Sequence, residues 1–328
     1  MASLCNRHLI AQPNLPDLPY IRAGVKNIAI DLKASPVSIW TIANKYMGGK
    51  RLMYLRACKT IEAQGWNKHW ANVSMFVKPD KIPAAEISTK APRAIQYRSP
   101  MYNLLIGRFL HGYEKALYDW PDVGPSRTPF MAKGKNLQER ASILVEKISC
   151  FKDPLFICLD HSKFDSSISE ELLGIEHRYY NKHFKSKFLR FLLRKQLNNK
   201  GYTKSGIKYR VRGTRMSGDF NTGLGNSLIN YLCLRSWLDS ASVKGEIFLD
   251  GDDSIIIVEA DQQAKLNPEH FSRWGFTTKI QITKNINEVE FCQCRLLPSG
   301  PTMARNPYRA LSHLAVSLKK YTGKVWPR

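Results

Sequence analysis

The chain has 328 residues, 43% of them hydrophobic, and carries 50 Lys and Arg against 27 Asp and Glu, a formal net charge of +23. That apolar content suffices for a packed core, while no uninterrupted apolar run is long enough to span a bilayer. The seven cysteines (Cys5, Cys58, Cys150, Cys158, Cys233, Cys292 and Cys294) make neither a paired framework nor a zinc spacing, and Pro13, Pro16 and Pro19 break the segment where a signal peptide needs its apolar core. A reduced, intracellular, globular protein is expected, with a partner rich in phosphates. Charge alone leaves membrane-surface and ribosome-associated binders open as well.

There are no internal repeats and no long low-complexity tract. Residues 1 to 36 are interrupted by proline and read as loop-rich. From 37 to 72 the pattern is helical, with Trp40, Ile42, Tyr46, Leu55 and Ile61 as the apolar positions and Lys50-Arg51 on a polar face. Residues 73 to 100 read as strands and basic loops, and Tyr102 to Leu117 and Asn136 to Ile148 as helices. Leu155 to Leu159 is a continuous apolar run, which suits a strand covered on both faces, and it ends at Asp160. Ser169 is placed as the N-cap of a helix with Glu170 and Glu171 in its first turn. Phe184 to Leu197 reads as one basic helix, carrying Lys185, Lys187, Arg190, Arg194 and Lys195; it either tracks phosphates or is a solvated face. Gly213 to Ser227 is a loop dense in glycine, hydroxyls and amides that feeds the apolar helix Leu228 to Leu238. Ile247-Phe248-Leu249 and Ile255 to Val258 flank Gly251-Asp252-Asp253 as two strands about a tight turn. Cys292 and Cys294 read as buried strand thiols rather than a metal clip, and a last helix is expected from Arg309 to Lys319.

Adjacent acids at the tip of a buried hairpin have no structural use, because like charges that close repel and desolvate poorly. Divalent cations relieve both problems, since they prefer oxygen ligands and cancel the repulsion. Asp160, at the end of another strand, supplies a second acidic element, with Asp165 beyond the following turn. Two strand ends that each present a carboxylate can hold a pair of Mg²⁺ ions, the arrangement that supports in-line phosphoryl transfer.

Asp160-x4-Asp165, then Ser217-Gly218-x3-Thr222-x3-Asn226, then Gly251-Asp252-Asp253, in that order, resembles the palm of viral RNA-dependent RNA polymerases of positive-strand RNA viruses, most closely the tombusvirus-like group. Phe76 to Lys81, Ala91 to Pro100, Lys133 to Asn136 with Arg140, and Glu290 to Gln293 extend the likeness over about residues 38 to 313. The resemblance implies Asp160 and Asp252 as metal ligands with Asp253 alongside, and Mg²⁺ as cofactor with Mn²⁺ as a substitute. It implies that Asp165, Ser217, Gly218, Thr222 and Asn226 belong to the ribose-sensing element. Lys78, Lys81, Arg93 and Arg98 would line the nucleotide access path, with Arg93 and Ile95 at positions that stack on the incoming base. Lys279 is the preferred general-acid lysine, with Lys284 the alternative.

The implied fold is α+β, a right-hand polymerase with an antiparallel palm sheet. Residues 1–72 would be an N-terminal extension with fingers-associated helices, 73–149 fingers, 150–295 palm with a fingers insertion at about 170–212, and 296–328 the start of a thumb. The thumb is expected to be truncated, the chain being a portion of a larger polymerase, dependent on a partner chain for the thumb, or a poorly active product. Implied partners are template and product RNA, nucleoside triphosphates and other viral replicase proteins, in membrane-associated replication complexes of the host cytoplasm. Two other functions stay open: a non-catalytic basic RNA-binding subunit, and a reverse transcriptase.

Overall fold

Leu155, Phe156, Ile157 and Leu159 are all buried, although alternate residues of a strand point to opposite faces. Both faces of this strand are therefore covered, as the unbroken apolar run requires. A computed structural model describes residues 2–5, 9, 15–79, 91–297 and 300–314 of the chain. In order these form α1 (Ala2–Cys5), α2 (Leu18–Val25), α3 (Ile39–Asn44), α4 (Gly48–Gln64), β1 (Val73–Val77), β2 (Ala94–Tyr97), α5 (Pro100–Tyr118), α6 (Leu137–Ser149) and β3 (Pro154–His161). Then come α7 (Phe164–Ser167), α8 (Glu170–Phe184), α9 (Lys187–Arg194), β4 (Asn198–Thr203), β5 (Lys208–Arg212), α10 (Thr222–Ser240), β6 (Gly245–Asp250) and β7 (Asp253–Glu259). The chain continues through α11 (Glu269–Arg273), β8 (Thr278–Thr283), β9 (Cys294–Leu297), β10 (Thr302–Arg305) and α12 (Pro307–Leu314).

The architecture is α+β. An antiparallel sheet in the order β6-β7-β3-β8 forms its centre. One face, with Ile157, Leu159, Ile247, Leu249, Ile256 and Val258, packs into the main core around α10. Phe156, Phe248, Ile255 and Ile257 face the other way, onto Ala141 and Leu144 of α6 and onto Leu296 and Met303 of the β9–β10 hairpin. Every residue of α10 from Leu224 to Leu238 is buried, so this helix is enclosed all round. A second sheet, β2-β1-β4-β5, joins strands distant in sequence: β1 pairs antiparallel with β2 but parallel with β4.

Three local readings need correction. The expected basic helix from Phe184 to Leu197 is two helices: Lys185 ends α8 in the left-handed conformation, and the Ser186 hydroxyl caps α9 by accepting from the Leu189 N–H at 3.2 Å. Within the loop-rich N-terminus, α2 starts at a proline-bearing turn capped by Asp17, a place where proline's missing N–H costs nothing. Cys292 lies in a turn with φ of +50° rather than in a strand, while Cys294 opens β9. Of the helix expected over Arg309 to Lys319, the described part belongs to α12 and the rest lies outside the described residues.

Candidate active site

Strands β6 and β7 pair as far as Asp250↔Asp253, which leaves Gly251 and Asp252 as a two-residue turn. Gly251 has a φ of +70°, a conformation that glycine adopts without a Cβ penalty. Helix α10 fixes this tip from below. The Gly251 N–H donates to Ser227 Oγ at 2.9 Å, and Asn230 Nδ2 donates to the carbonyls of Gly251 (3.0 Å) and Asp252 (3.4 Å). Asn230 Oδ1 also meets His161 Nε2 at 3.2 Å, and His161 Nδ1 lies 2.8 Å from Thr278 Oγ1. One amide thus ties the hairpin tip to the end of β3 and, through the imidazole, to β8. Burial pushes His161 down to about 4, so at neutral pH the ring is an uncharged spacer.

Register completes the acidic group. Leu159 of β3 pairs with Ser254 and Asp160 pairs with Lys279, so Asp160 stands one step past Ser254, beside Asp253. Asp160 and Asp252 open onto one cleft of about 740 Å³, whose lining also includes Asp165, Ser217, Thr222, Asn226, Lys78, Arg93 and Ile95. Although Asp252 reaches the cleft's solvent, its carboxyl is pushed up to about 6, chiefly by desolvation and further by the charges of Asp253, Asp165 and Asp160. Asp253 is raised by burial and by Asp160, Asp250 and Glu290, against a hydrogen bond from the Cys292 thiol. Asp165 is raised by burial, opposed by the Asn226 amide and by Arg215.

The donor set suits one kind of metal. Among the described residues no group of three or more His, Cys, Asp or Glu side chains is gathered to hold a metal ion by itself, so a caged structural ion does not fit. Mg²⁺ binds differently: it keeps waters, uses one or two carboxylates and takes further oxygens from substrate phosphates. Two carboxylates in mutual repulsion at the wall of an open cleft fit that mode.

The loop before α10 is fastened to strand β2. The Gly218 N–H donates to the Gln96 carbonyl at 2.7 Å, and Ser217 Oγ accepts from the Gln96 N–H at 3.3 Å. A Cβ on Gly218 would stand 2.5 Å from Tyr97 Cβ and 2.7 Å from the Gln96 carbonyl oxygen, so the close approach requires glycine. The Thr222 hydroxyl donates to the carbonyls of Met216 (2.8 Å) and Asp219 (3.0 Å), which closes the loop on itself. Asn226 Nδ2 donates to Asp165 Oδ1 at 2.8 Å. Gly218 is therefore a spacer against β2 and does not line the cleft, while Ser217, Thr222, Asn226 and Asp165 do.

Arg98 is not on the cleft. Its guanidinium is buried, pairs with Asp219 at 2.9 Å and donates to the Ala71 carbonyl at 2.5 Å and to Asn199. The expectation that it faces a triphosphate is overturned. β2 alternates, so Ile95 turns to the cleft whereas Gln96 and Arg98 turn inward. Lys279 is exposed opposite Asp160, whereas Lys284 pairs with Asp153 at 2.5 Å near the other end of β3, about 17 Å away at strand spacing. Lys81 lies outside the described residues.

The chain matches the model of a family described as viral RNA-dependent RNA polymerase over residues 11–324. It belongs to that family. Among curated relatives it is 33% identical over 300 residues to an RNA-directed RNA polymerase of Groundnut rosette virus (strain MC1), covering 88% of this chain and 36% of the relative. The corresponding figures are 33% over 302 residues for Melon necrotic spot virus, covering 88% and 38%, and 32% over 295 for Tobacco necrosis virus (strain A), covering 87% and 40%. The chain thus spans between about a third and two fifths of the length of these relatives. The tombusvirus-like resemblance read from the motifs is shown by these matches.

Sequence reading passed over several residues that hold this polymerase-family site together. Ser227 and Asn230, three apart on α10, are polar positions inside a fully buried helix, an anomaly visible in the sequence. Lys163 and Ser162 also line the cleft, Lys163 with a φ of +53°. Arg215 and Glu176 form a buried bidentate pair, Nη1 to Oε1 at 3.4 Å with Nη2 on Oε2, that no local motif announces.

Proposed function

We propose that this chain carries the catalytic centre of an RNA-directed RNA polymerase, extending RNA 3′-ends from nucleoside triphosphates on an RNA template and releasing pyrophosphate. One observation carries the reading: Asp160, from the end of β3, and Asp252, from the tip of a separate hairpin, open onto the same cleft. In this reading the β6-β7-β3-β8 sheet with its helices, within 150–295, is the palm. The β2-β1-β4-β5 sheet belongs to the fingers (73–149 together with the insertion at about 170–212), residues 1–72 support it, and 296–328 begin the thumb. As a member of a replicase the chain would work with other viral proteins in membrane-associated complexes of the host cytoplasm. Among the described residues no helix is long and apolar enough to cross a membrane.

The residues divide the work by their chemistry. Asp160 and Asp252, with Asp253 beside them, would hold Mg²⁺, or Mn²⁺ in its place. Bound there, the metal supplies charge neutralisation and polarisation of phosphoryl oxygens. Lys78 and Arg93, which line the same cleft, would bind triphosphate oxygens by charge-assisted hydrogen bonds. Ile95 offers an apolar surface for the base. Asp165 and Asn226 would hydrogen-bond the ribose 2′-hydroxyl, and a site built for a hydroxyl rejects the analogue that lacks it. Lys279, on the Asp160 side of β8, is the better-placed of the two lysines to protonate leaving pyrophosphate.

The open face of the β2-β1-β4-β5 sheet supports RNA as the polymeric partner. Tyr97, Ser74, Tyr202 and Lys208 are paired in register across all four strands and so form one solvent-facing row. Phe76 and Ile95 make the next row on one side of it and Lys200 and Arg210 the next row on the other, and Ile95 joins this face to the cleft. Exposed aromatic rings among cations are what unstacked bases and their phosphates bind.

Primer extension on a homopolymeric RNA template with Mg²⁺ tests the proposal. Asp160→Asn and Asp252→Asn should each abolish incorporation while RNA binding persists. Incorporation retained by Asp252→Asn would refute the mechanism. RNA binding without incorporation by the unsubstituted chain, alone or with replicase partners, would favour the non-catalytic binder. Preference for deoxyribonucleotides would favour reverse transcription.

A further inference from the structure

We infer that Arg215, locked by Glu176, is a positioning residue for sugar selection: it fixes which end of the Asn226 amide faces Asp165. The inference rests on the proposed ribose-sensing role of Asp165 and Asn226 and deepens it. Asn226 has a carbonyl oxygen at one end and an NH₂ at the other, and a half-turn of its side-chain amide exchanges them. Arginine can only donate, and Arg215 Nε donates to Asn226 Oδ1 at 2.9 Å. The amide NH₂ is therefore directed to Asp165, where Nδ2 donates to Oδ1 at 2.8 Å. In the reversed orientation the NH₂ would meet the guanidinium and the carbonyl would meet a carboxylate, two repulsive contacts in place of two attractive ones.

Arg215 is itself given no freedom. Its two terminal nitrogens are engaged by Glu176, and its own N–H donates to the Asp165 carbonyl at 2.8 Å. Asn221 Nδ2 donates to Glu176 Oε1 at 2.9 Å, which holds the carboxylate in turn. Arg215 is 1% and Glu176 0% exposed, so the pair is shielded from solvent competition. Helix α10 makes room for it through a single residue. A Cβ on Gly225 would come within 2.4 Å of Glu176 Oε1 and 2.5 Å of Arg215 Nη2. The residue next to Asn226 is thus shaped to admit the group that orients Asn226. Ion pairing alone would be served by any buried cation; the Nε bond to Asn226 needs the fixed fork of arginine.

The test measures selection of ATP over 2′-deoxyATP, both as a ratio of incorporation efficiencies in primer extension and as a ratio of affinities in competition with a fluorescent nucleotide. Arg215→Lys keeps the cation for Glu176 but loses the rigid fork, and both ratios should fall by about tenfold or more, the effect of one misdirected buried hydrogen bond. Discrimination against 3′-deoxyATP should stay as it is, since that hydroxyl is not read by Asn226; a general loss of packing would move both. Because Arg215→Lys leaves an imperfect buried pair, the double variant Arg215→Met/Glu176→Gln, which removes both charges, is measured beside it and should show the same loss. Asn226→Ala serves as the benchmark. If it lowers the ratios and neither Arg215 variant does, the inference is overturned and the ribose reading stands. Unchanged ratios in Asn226→Ala, or no preference in the unsubstituted chain, would overturn the ribose reading and the inference with it.

Discussion

Arg98→Met and Arg93→Met, five residues apart on one basic segment, should fail in opposite ways. Arg98 is paired with Asp219 through Nε at 2.9 and 3.2 Å, and the two side chains are 0% and 3% exposed. Its remaining nitrogens bind the Ala71 carbonyl and Asn199. Methionine fills the volume but leaves Asp219 with the Gln196 amide, at 3.2 Å, in place of a charged partner. Breaking a buried pair from one side costs about 3–5 kcal/mol. Burial already raises the Asp219 carboxyl and Arg98 is the main influence holding it down, so protonation offers partial relief and the lower end, about 3 kcal/mol, is expected. Arg93 is exposed on the cleft wall, and its replacement should cost no more than the roughly 1 kcal/mol of an exposed contact. A lost charge-assisted contact to phosphate should instead weaken nucleotide binding by roughly 10- to 100-fold. Urea unfolding followed by tryptophan fluorescence, paired with nucleotide competition, reads both effects. Adding Asp219→Asn to Arg98→Met should recover part of the lost stability. An Arg98→Met chain that unfolds at the unsubstituted midpoint yet no longer binds nucleotide would refute the assignment of Arg98 to the core.

Other substitutions and conditions probe the rest of the site. Gly218→Ala should destabilise by about 1–3 kcal/mol and loosen the Ser217 loop, since its Cβ meets backbone rather than a movable side-chain end; calorimetry showing an unchanged melting temperature would contradict the packing. The Asp252 carboxyl, raised to about 6 in the folded chain against 3.8 ordinarily, holds its proton more tightly when folded. Its contribution to metal-free stability is therefore full below pH 3.8 and is lost as pH rises through about 6, and Asp252→Asn should flatten that part of the stability profile. Mg²⁺ must displace the same proton, so its affinity, measured by titration calorimetry, should weaken as pH falls below about 6; a flat profile would remove Asp252 from the ligand set. Asn230→Leu should free the hairpin tip and speed amide exchange at Gly251, the N–H held by neighbouring Ser227, by at least about tenfold.

What could be read from the sequence was what short-range pattern encodes. The apolar runs around Asp160 and Asp252 announced strands, and the pairing of acids at their ends pointed to the cleft that Asp160 and Asp252 share. Long-range pairing was not legible: nothing near Val73 predicts that it lies parallel to a strand at Gly201, after an interval containing α5, β3 and α8. The assignment of Arg98 failed for a related reason. An arginine in a basic segment reads as surface, and only the alternation of β2, known once Ile95 and Tyr97 are placed on the open face, turns it inward to Asp219. The same blindness hid Arg215 and Glu176, which are 39 residues apart and meet only through the fold. Yet a hint was present. Asn221, Gly225, Asn226, Ser227 and Asn230 crowd the start of a helix whose residues from Leu224 to Leu238 are all buried, and buried polar side chains persist where partners satisfy them. Each of these four polar residues has a partner: Asn221 on Glu176, Asn226 on Asp165 and Arg215, Ser227 and Asn230 on the hairpin. Helix α10 is therefore the element that registers the two acidic strand ends and the Asp165–Asn226 pair against each other, through polar residues in its first turns, while its apolar ones fill the core.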